Sequence, residues 1–437
     1  MTQTQRQTQN QAQARTQAQA TVRAVNRLTT RWAAHAASGT GGTVFTAAGV
    51  WPLLALLADG AGGPARAELA QALGIPAEDA AGAARELLAA LAGVRGLSAA
   101  TGLWAAAGLP LEEGWSAKLP PGARGTLTGD LEGDTKALDG WASERTGGLI
   151  ERMPVTLRHD TRLVLASALA LALKWAEAFR EFPGHVPDGP WAGRGLRRLF
   201  RTTASLDPVR VAEGPTGPVT ALEVTGAVDM DMDVHLLLGT PAAPAADVLA
   251  TGIAAVSGAL PAPAGNALPD GSPGPGLTIA TVDAFSPQPQ LSVSTVAFSL
   301  SAEHDLLEDA ALFGLLTATA EAHGHFPGIS AEPLAIGSAR QSAMARFHAE
   351  GFEAAAVTAI AARPGGAARR PSHRARRAEV RFDRPFGFLA VHRNSGLVLA
   401  AGWVTDPESA VQPRPGAAGP FPPPPFPGVR PPAPPSH

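Results

Sequence analysis

The sequence predicts one large domain that mixes helices and strands, framed by two low-complexity ends. Two observations carry this expectation. Segments with apolar residues at helical spacing are interleaved with segments that alternate as strands do. Neither an internal repeat nor a clean linker divides them. At 437 residues, 45% of them hydrophobic, the chain can bury a sizeable core.

Residues 1–25 are a Gln/Thr/Ala tract that lacks the apolar centre of a secretory signal and is expected to be a disordered or loosely helical tail. Asn26–Ala37 then fits a helix with Leu28, Trp32 and Ala36 on one face. Val44 and Phe45 read as a short strand, Val50–Leu57 as a buried helix, Pro64–Leu73 as a helix stopped at Gly74, and Ala77–Leu91 as an amphipathic helix. Leu97–Ala106 reads as a strand carrying Trp104, and Lys136–Thr146 is helical with Trp141 on its apolar side. The run Leu163–Trp175 is apolar throughout, so its period fits a buried helix or a buried central strand equally.

Val219–Val228, Val234–Leu238, Leu291–Leu300 and Leu334–Phe347 have strand character. Ala245–Leu260 and Leu306–Leu316 read as helices, with a Pro/Gly-rich linker including Gly271–Gly276 after the first. Beyond Pro407, residues 408–437 form a proline-rich extended tail.

Composition excludes several classes of function. A net charge of −3 argues against a dedicated nucleic-acid binder. The absence of Cys removes disulfides, thiolate metal sites and Cys nucleophiles. No apolar run is long enough to span a bilayer, and with no readable signal the sequence alone places the chain in the cytoplasm. His323 and His325 have no third ligand at a suitable spacing, and Asp229, Asp231 and Asp233 read as a solvated edge, so no metal or other cofactor is expected. No nucleophile elbow accompanies a Ser/His/Asp set, so an enzyme is not expected.

The most informative stretch is Ala349–Phe388. Glu350–Ile360 is a run of small residues closed by β-formers, Arg363–Arg377 is an exposed Pro/Gly/Arg-rich loop, and Glu379–Leu389 alternates as a strand around Val380, Phe382, Phe386 and Phe388. An Arg-bearing loop between two strand-like arms is a good protease substrate.

From Asn26 to Pro407 the chain resembles a serpin. The segments that carry the resemblance, in the family's order, are VFTAAGVWPLLALLADG from Val44, WASERTGGLI from Trp141, and Leu163–Phe179 ending in LKWAEAF. They continue with HFPGIS from His325, Leu334–Gly351, FDRPFGF from Phe382, and GWVTDP from Gly402. The resemblance makes Leu163–Trp175 a central strand. It implies an α+β domain over residues 26–407, with three β-sheets, about eight or nine helices and an exposed reactive-centre loop.

It also implies a mechanism. A serine protease attacks the loop, an acyl-enzyme forms, and the cut loop enters the central sheet as a new strand, trapping the enzyme. The implied partner is a serine protease, trypsin-like by the Arg content of the loop. The implied assembly is a monomer and the implied compartment extracellular. Arg369–Arg377 is a candidate polyanion-binding stretch.

The implied hinge comprises Glu350, Gly351, Phe352, Glu353, Ala354, Ala355, Ala356 and Thr358. Strand alternation puts Glu353, Ala355 and Val357 on the water side and Phe352, Ala354, Ala356 and Thr358 inward. The family's count from Gly351 lands on the bond Gly365–Gly366, while Arg369–Arg370 is the better trypsin-like bond.

The sequence departs from the family at the implied sheet-opening region, where Thr46, Ala47, Gly49, Ser167 and Gln341 replace Ser, Pro, Ser, Asn and His; Trp175 is retained. Phe352 replaces a small hydroxyl residue, and seating its ring is expected to cost about 1–3 kcal/mol as overpacking. These departures support a second expectation, a non-inhibitory serpin-fold protein serving for binding or storage.

Overall fold

The computed structural model describes residues 3–119, 124–153, 155–320, 324–352 and 372–410. Helix α1 (Gln3–Ala36) leads into β1 (Thr43–Phe45) and three helices, α2 (Ala47–Gly60), α3 (Gly63–Leu73) and α4 (Ala77–Ala92). Then come β2 (Leu97–Ala106), the single turn α5 (Glu113–Ser116), β3 (Arg124–Leu127) and α6 (Leu131–Thr146). A strand broken at Ala172 follows, as β4 (Leu163–Leu171) and β5 (Leu173–Lys174).

The next stretch holds β6 (Arg180–His185), β7 (Gly195–Thr203), β8 (Val209–Gly214), β9 (Gly217–Thr225), β10 (Met232–Leu238) and α7 (Ala245–Val256). After it come β11 (Gly271–Gly274), β12 (Leu277–Ala284), β13 (Gln290–Val296), β14 (Phe298–Asp305), α8 (Ala310–Phe313) and a 3-10 turn at Thr317–Thr319. The chain closes with β15 (Arg340–Phe347), β16 (Gly351–Phe352), β17 (His373–Arg381), β18 (Phe386–His392) and β19 (Leu397–Val404).

Two six-stranded sheets are continuous, in the orders β1-β19-β18-β10-β9-β8 and β11-β12-β17-β13-β7-β6. The third is divided into a three-stranded half, β3-β2-β4, and a four-stranded half, β14-β15-β16-β5. With eight α-helices among the described residues, this is an α+β fold. Helix α2 is apolar on nearly every side and packs against both β19 and β4, so it forms the layer between the first sheet and the divided one. Its N-terminus is capped by Thr46, whose Oγ1 accepts the Gly49 N–H. Helix α3 ends at Gly74, where a φ of 70° is one that glycine adopts without Cβ strain.

Several expectations are corrected here. The N-terminal tract is helical from Gln3, because Gln, Ala and Arg favour helix and propagation from the packed end adds one bond per residue. Its exposed stretch gives way to burial at Thr21, Ala24 and Val25. The packed domain also runs past Pro407: Glu408 N–H donates to Ala297 O and Ala410 N–H to Gly195 O. Residues 411–437 of the expected tail lie outside the described residues.

Glu379–Leu389 is not one strand but the end of β17 and the start of β18. The Arg-rich loop is shorter than expected, because residues from His373 pair as β17 between β12 and β13. Gly271–Gly274, read as linker, is strand β11, and of Leu306–Leu316 only Ala310–Phe313 is α-helical. No helix among the described residues is long and apolar enough to cross a membrane.

Candidate functional site

The divided sheet builds the site. Strand β4 pairs with β2 along its whole length, and β15 pairs with β14 in the same way. Their other edges face each other, and among the described residues no ladder joins them. An unpaired edge carries a row of free donors and acceptors that a further strand can satisfy. Here two such edges flank one slot. Its upper cleft lies between Leu169, Ala170 and Leu171 of β4 and Met344, Ala345 and Arg346 of β15. With a cavity volume of about 10 Å³, it has room for no more than about one water molecule. The lower cleft, about 50 Å³, is bordered by Leu163, Ser167 and Gln341 and floored by Val50, Leu54 and Leu57 of α2.

At the top the slot is already occupied. β16 pairs antiparallel with both neighbours: Gly351 faces Lys174, and Phe352 lies between Leu173 and Phe347. Trp175 N–H donates to Glu350 O at 3.1 Å, and Phe179 N–H to Ala349 O at 2.7 Å. Trp175 Nε1 donates to His348 O at 2.9 Å. Gly351 is required by close approach, since a Cβ there would stand 2.3 Å from Leu173 O.

The Phe352 ring is 1% exposed and 6.0 Å from the Phe388 ring. It closes a group of aromatics in which Phe347 stacks on Phe298 at 5.3 Å and lies 4.9 Å from Trp175. The ring is thus seated among other aromatic side chains in the described fold. The sequence signal was silent here, because Phe298, Phe347, Phe388 and Trp175 come from four separate segments.

Below the hinge, Gln341 and Thr46 form a clasp. Gln341 Oε1 accepts Thr46 N–H at 2.9 Å, and Gln341 Nε2 donates to Thr46 O at 2.9 Å. Thr46 Oγ1 donates to Leu399 O at 2.5 Å. Gly49 lets β4 come close: a Cβ on it would meet Ser167 Oγ at 3.0 Å. Thr46, Gly49, Ser167 and Gln341 thus meet where α2, β4 and β15 converge, and Trp175 stands at the top of the slot. A chain of charges missed in the sequence borders the hinge: Arg197 donates to Glu181 at 2.7 and 2.8 Å and to Glu408 at 2.5 Å.

Of the remaining candidate residues, Glu350 is exposed beside the hinge. Glu353, Ala354, Ala355, Ala356 and Thr358 lie outside the described residues, as do Gly365, Gly366, Arg369 and Arg370. In the basic stretch, Arg376 is turned to Asp270 at 3.1 Å, while Arg374 and Arg377 are exposed on β17. Among the acidic residues, Asp231 is bound by Arg95 at 2.7 Å and Asp233 by Arg393 at 2.7 Å. Arg95 holds the Asp231 carboxyl far below the usual carboxylate range. These partners neutralise two of the three alternating aspartates, while Asp229 is exposed.

Comparison with known proteins agrees with this architecture. Two rice (Oryza sativa subsp. japonica) proteins match in part. Serpin-ZXA is 31% identical over 210 residues, 42% of this chain and 52% of its own length. Putative serpin-Z6C is 44% identical over 77 residues, 17% of this chain and 18% of its own. The chain thus spans about half the length of the first and under a fifth of the second.

Three solved structures share the fold. The cleaved Serpin 42Da aligns with a TM-score of 0.66 at 18% identity, over 90% of this chain and 99% of its own. The thermophilic serpin tengpin in its native state aligns at 0.67 and 14%, over 88% and 93%. Thyroxine-binding globulin in complex with thyroxine aligns at 0.64 and 15%, over 89% and 99%. The family model described as serpin (serine protease inhibitor) matches residues 23–184 and 285–407, well over half of the sequence, and the chain belongs to the serpin family.

Proposed function

We propose that the chain inhibits serine proteases by loop cleavage, strand insertion and covalent trapping, and is not itself an enzyme. The observation that carries this reading is the slot between β4 and β15, already entered at its top by Gly351 and Phe352. The protease's serine attacks a bond in the loop between β16 and β17, and an acyl-enzyme forms. Residues after Phe352 then zip downward between the two unpaired edges, each exchanging water for ladder hydrogen bonds. Ala354, Ala356 and Thr358, which strand alternation would turn inward on insertion, are small enough to pass over α2. Insertion competes with hydrolysis of the ester, and about 1.4 kcal/mol in the insertion barrier changes that partition roughly tenfold. Because β16 is already paired, the first step of insertion is complete before the protease arrives.

Arg369–Arg370 is the preferred bond for a trypsin-like target, and the inhibitor acts as a monomer. The test is to mix the chain with trypsin and run a denaturing gel. A stable band at the summed mass supports trapping; a ladder of cleaved chain without it overturns the reading.

One observation favours a second reading, a carrier of small molecules. Between α1 and α7 lies a cavity of about 510 Å³ lined by Arg23, Arg27, Arg31, Leu73 and Ile253. Three arginines spaced by four residues share one helix face. Together with apolar walls they suit an amphipathic carboxylate. Thyroxine-binding globulin, a protein of the same fold, binds such a molecule. A chain that fails to trap trypsin and binds thyroxine, with the affinity lost in Arg27→Ala, would favour this reading.

A further inference from the structure

The turn that seats the hinge carries an imidazole that the trapping scheme does not use. His348 lies between β15 and β16. Its N–H donates to Gly351 O at 2.9 Å, closing the turn, and its carbonyl accepts from Trp175. Its side chain is 13% exposed, and Nδ1 is buried without a hydrogen-bond partner. Nε2 is 3.9 Å from Glu408 Oε1, beyond hydrogen-bond reach.

Four charged groups face the ring: Glu408 from the segment after β19, Arg197 from β7, Glu181 from β6 and Arg346 from β15. Two carboxylates and two guanidiniums cancel, and Arg197 is already bonded to both carboxylates. The surroundings therefore offer a proton little net attraction. A neutral ring leaves one lone pair unpartnered. An imidazolium would leave a charge and a buried N–H without an acceptor, the costlier state. Burial accordingly holds the imidazole below its ordinary pKa, against the pull of Glu408.

We propose that His348 is a pH-sensitive latch on the hinge: neutral, it leaves the His348–Gly351 turn closed with Phe352 in the sheet; protonated, it opens that turn and frees the hinge. The proton goes to Nδ1, which reaches water only when the turn opens. The closed state binds fewer protons than the open one. Closure is therefore complete above the ordinary histidine value of about 6.5 and weakens below it, by up to about tenfold per pH unit. This needs only the seated hinge and is independent of protease trapping.

Hydrogen exchange on the full chain between about pH 7.5 and 5, corrected for intrinsic rates, tests the latch. The protection of the His348 amide, which donates the turn's hydrogen bond, and of Phe352, read against β19 as an internal reference, should fall by up to about tenfold per pH unit below about 6.5. His348→Gln should flatten the response. Glu408→Gln should move its midpoint to lower pH, because the carboxylate favouring the imidazolium is gone. A flat wild-type profile overturns the proposal, as does an unchanged step in His348→Gln. If that variant does not fold, Glu408→Gln decides, and an unmoved midpoint overturns the latch.

Discussion

The first sheet and the divided sheet have similar strands and opposite states. In β1-β19-β18-β10-β9-β8 each interior strand is paired on both sides, and β18 and β19 are buried on both faces. In the divided sheet, β4 and β15 are equally regular along their outer edges and, below the Phe347–Phe352 bridge to β16, unpaired along their inner ones. The apolar supply is comparable: β4 is mostly Leu and Ala with one Val, β10 carries three Leu, and β19 mixes Leu, Val and Ala. The difference lies in whether a neighbouring strand is present. A sheet that keeps two edges apart over an apolar floor stores unformed hydrogen bonds, and the hinge residues are the segment placed to form them.

The largest expected effect that separates the two regions is a core truncation. Leu236 is fully buried in β10, and Leu236→Ala should cost about 2–5 kcal/mol, because the paired sheet cannot collapse around the void. Leu169 borders the upper cleft on a strand with one free edge, which can relax into the void, so Leu169→Ala should cost about 2 kcal/mol, the low end of that range. Denaturant titration of the two variants would break the comparison if the costs were equal.

Gln341→Ala should come next. It strips partners from the buried N–H and C=O of Thr46 and should cost about 1–3 kcal/mol. Because the clasp ties the start of β15 to α2, exchange in β15 should rise more than in β10.

Much of this architecture was legible in the sequence, for physical reasons. Leu97–Ala106 reads as a strand and is β2 over those same residues. Gly74 marks the stop of α3 through its left-handed conformation. Leu163–Trp175 was ambiguous because a strand buried on both faces has no period, and only the resemblance assigned it. β11 and the start of β12 lie behind Gly and Pro, whose usual meaning is a loop. At the site, the small residues after Phe352 and the unusual residues at Thr46 and Gln341 were visible one by one. The clasp they form spans 295 positions, the Arg197–Glu408 pair spans 211, and the seat of Phe352 needs rings from distant segments. Such pairings leave no local pattern.

A smaller effect sharpens the contrast by pH. His235 belongs to β10, and withdrawal from water pushes its imidazole down to about 4, Asp233 opposing and Arg210 assisting. A neutral native histidine gives stability that is full above the ordinary value of 6.5 and is lost as the pH falls towards 4. The difference in unfolding free energy between the chain and His235→Gln should therefore slope within that window and be flat above it. A slope confined to higher pH would assign the titration elsewhere.

The central claim is that the slot between β4 and β15 is a receptor for the hinge strand. The most direct measurement is the melting temperature before and after a protease cuts the loop between residues 353 and 372. Insertion should raise it by several degrees or more, since each new buried ladder bond stabilises the cut form and even a domain of about 150–250 residues gains about 2–4 °C per kcal/mol. A nicked chain that melts where the intact one does would contradict the account, because the slot would then have no use for the strand it faces.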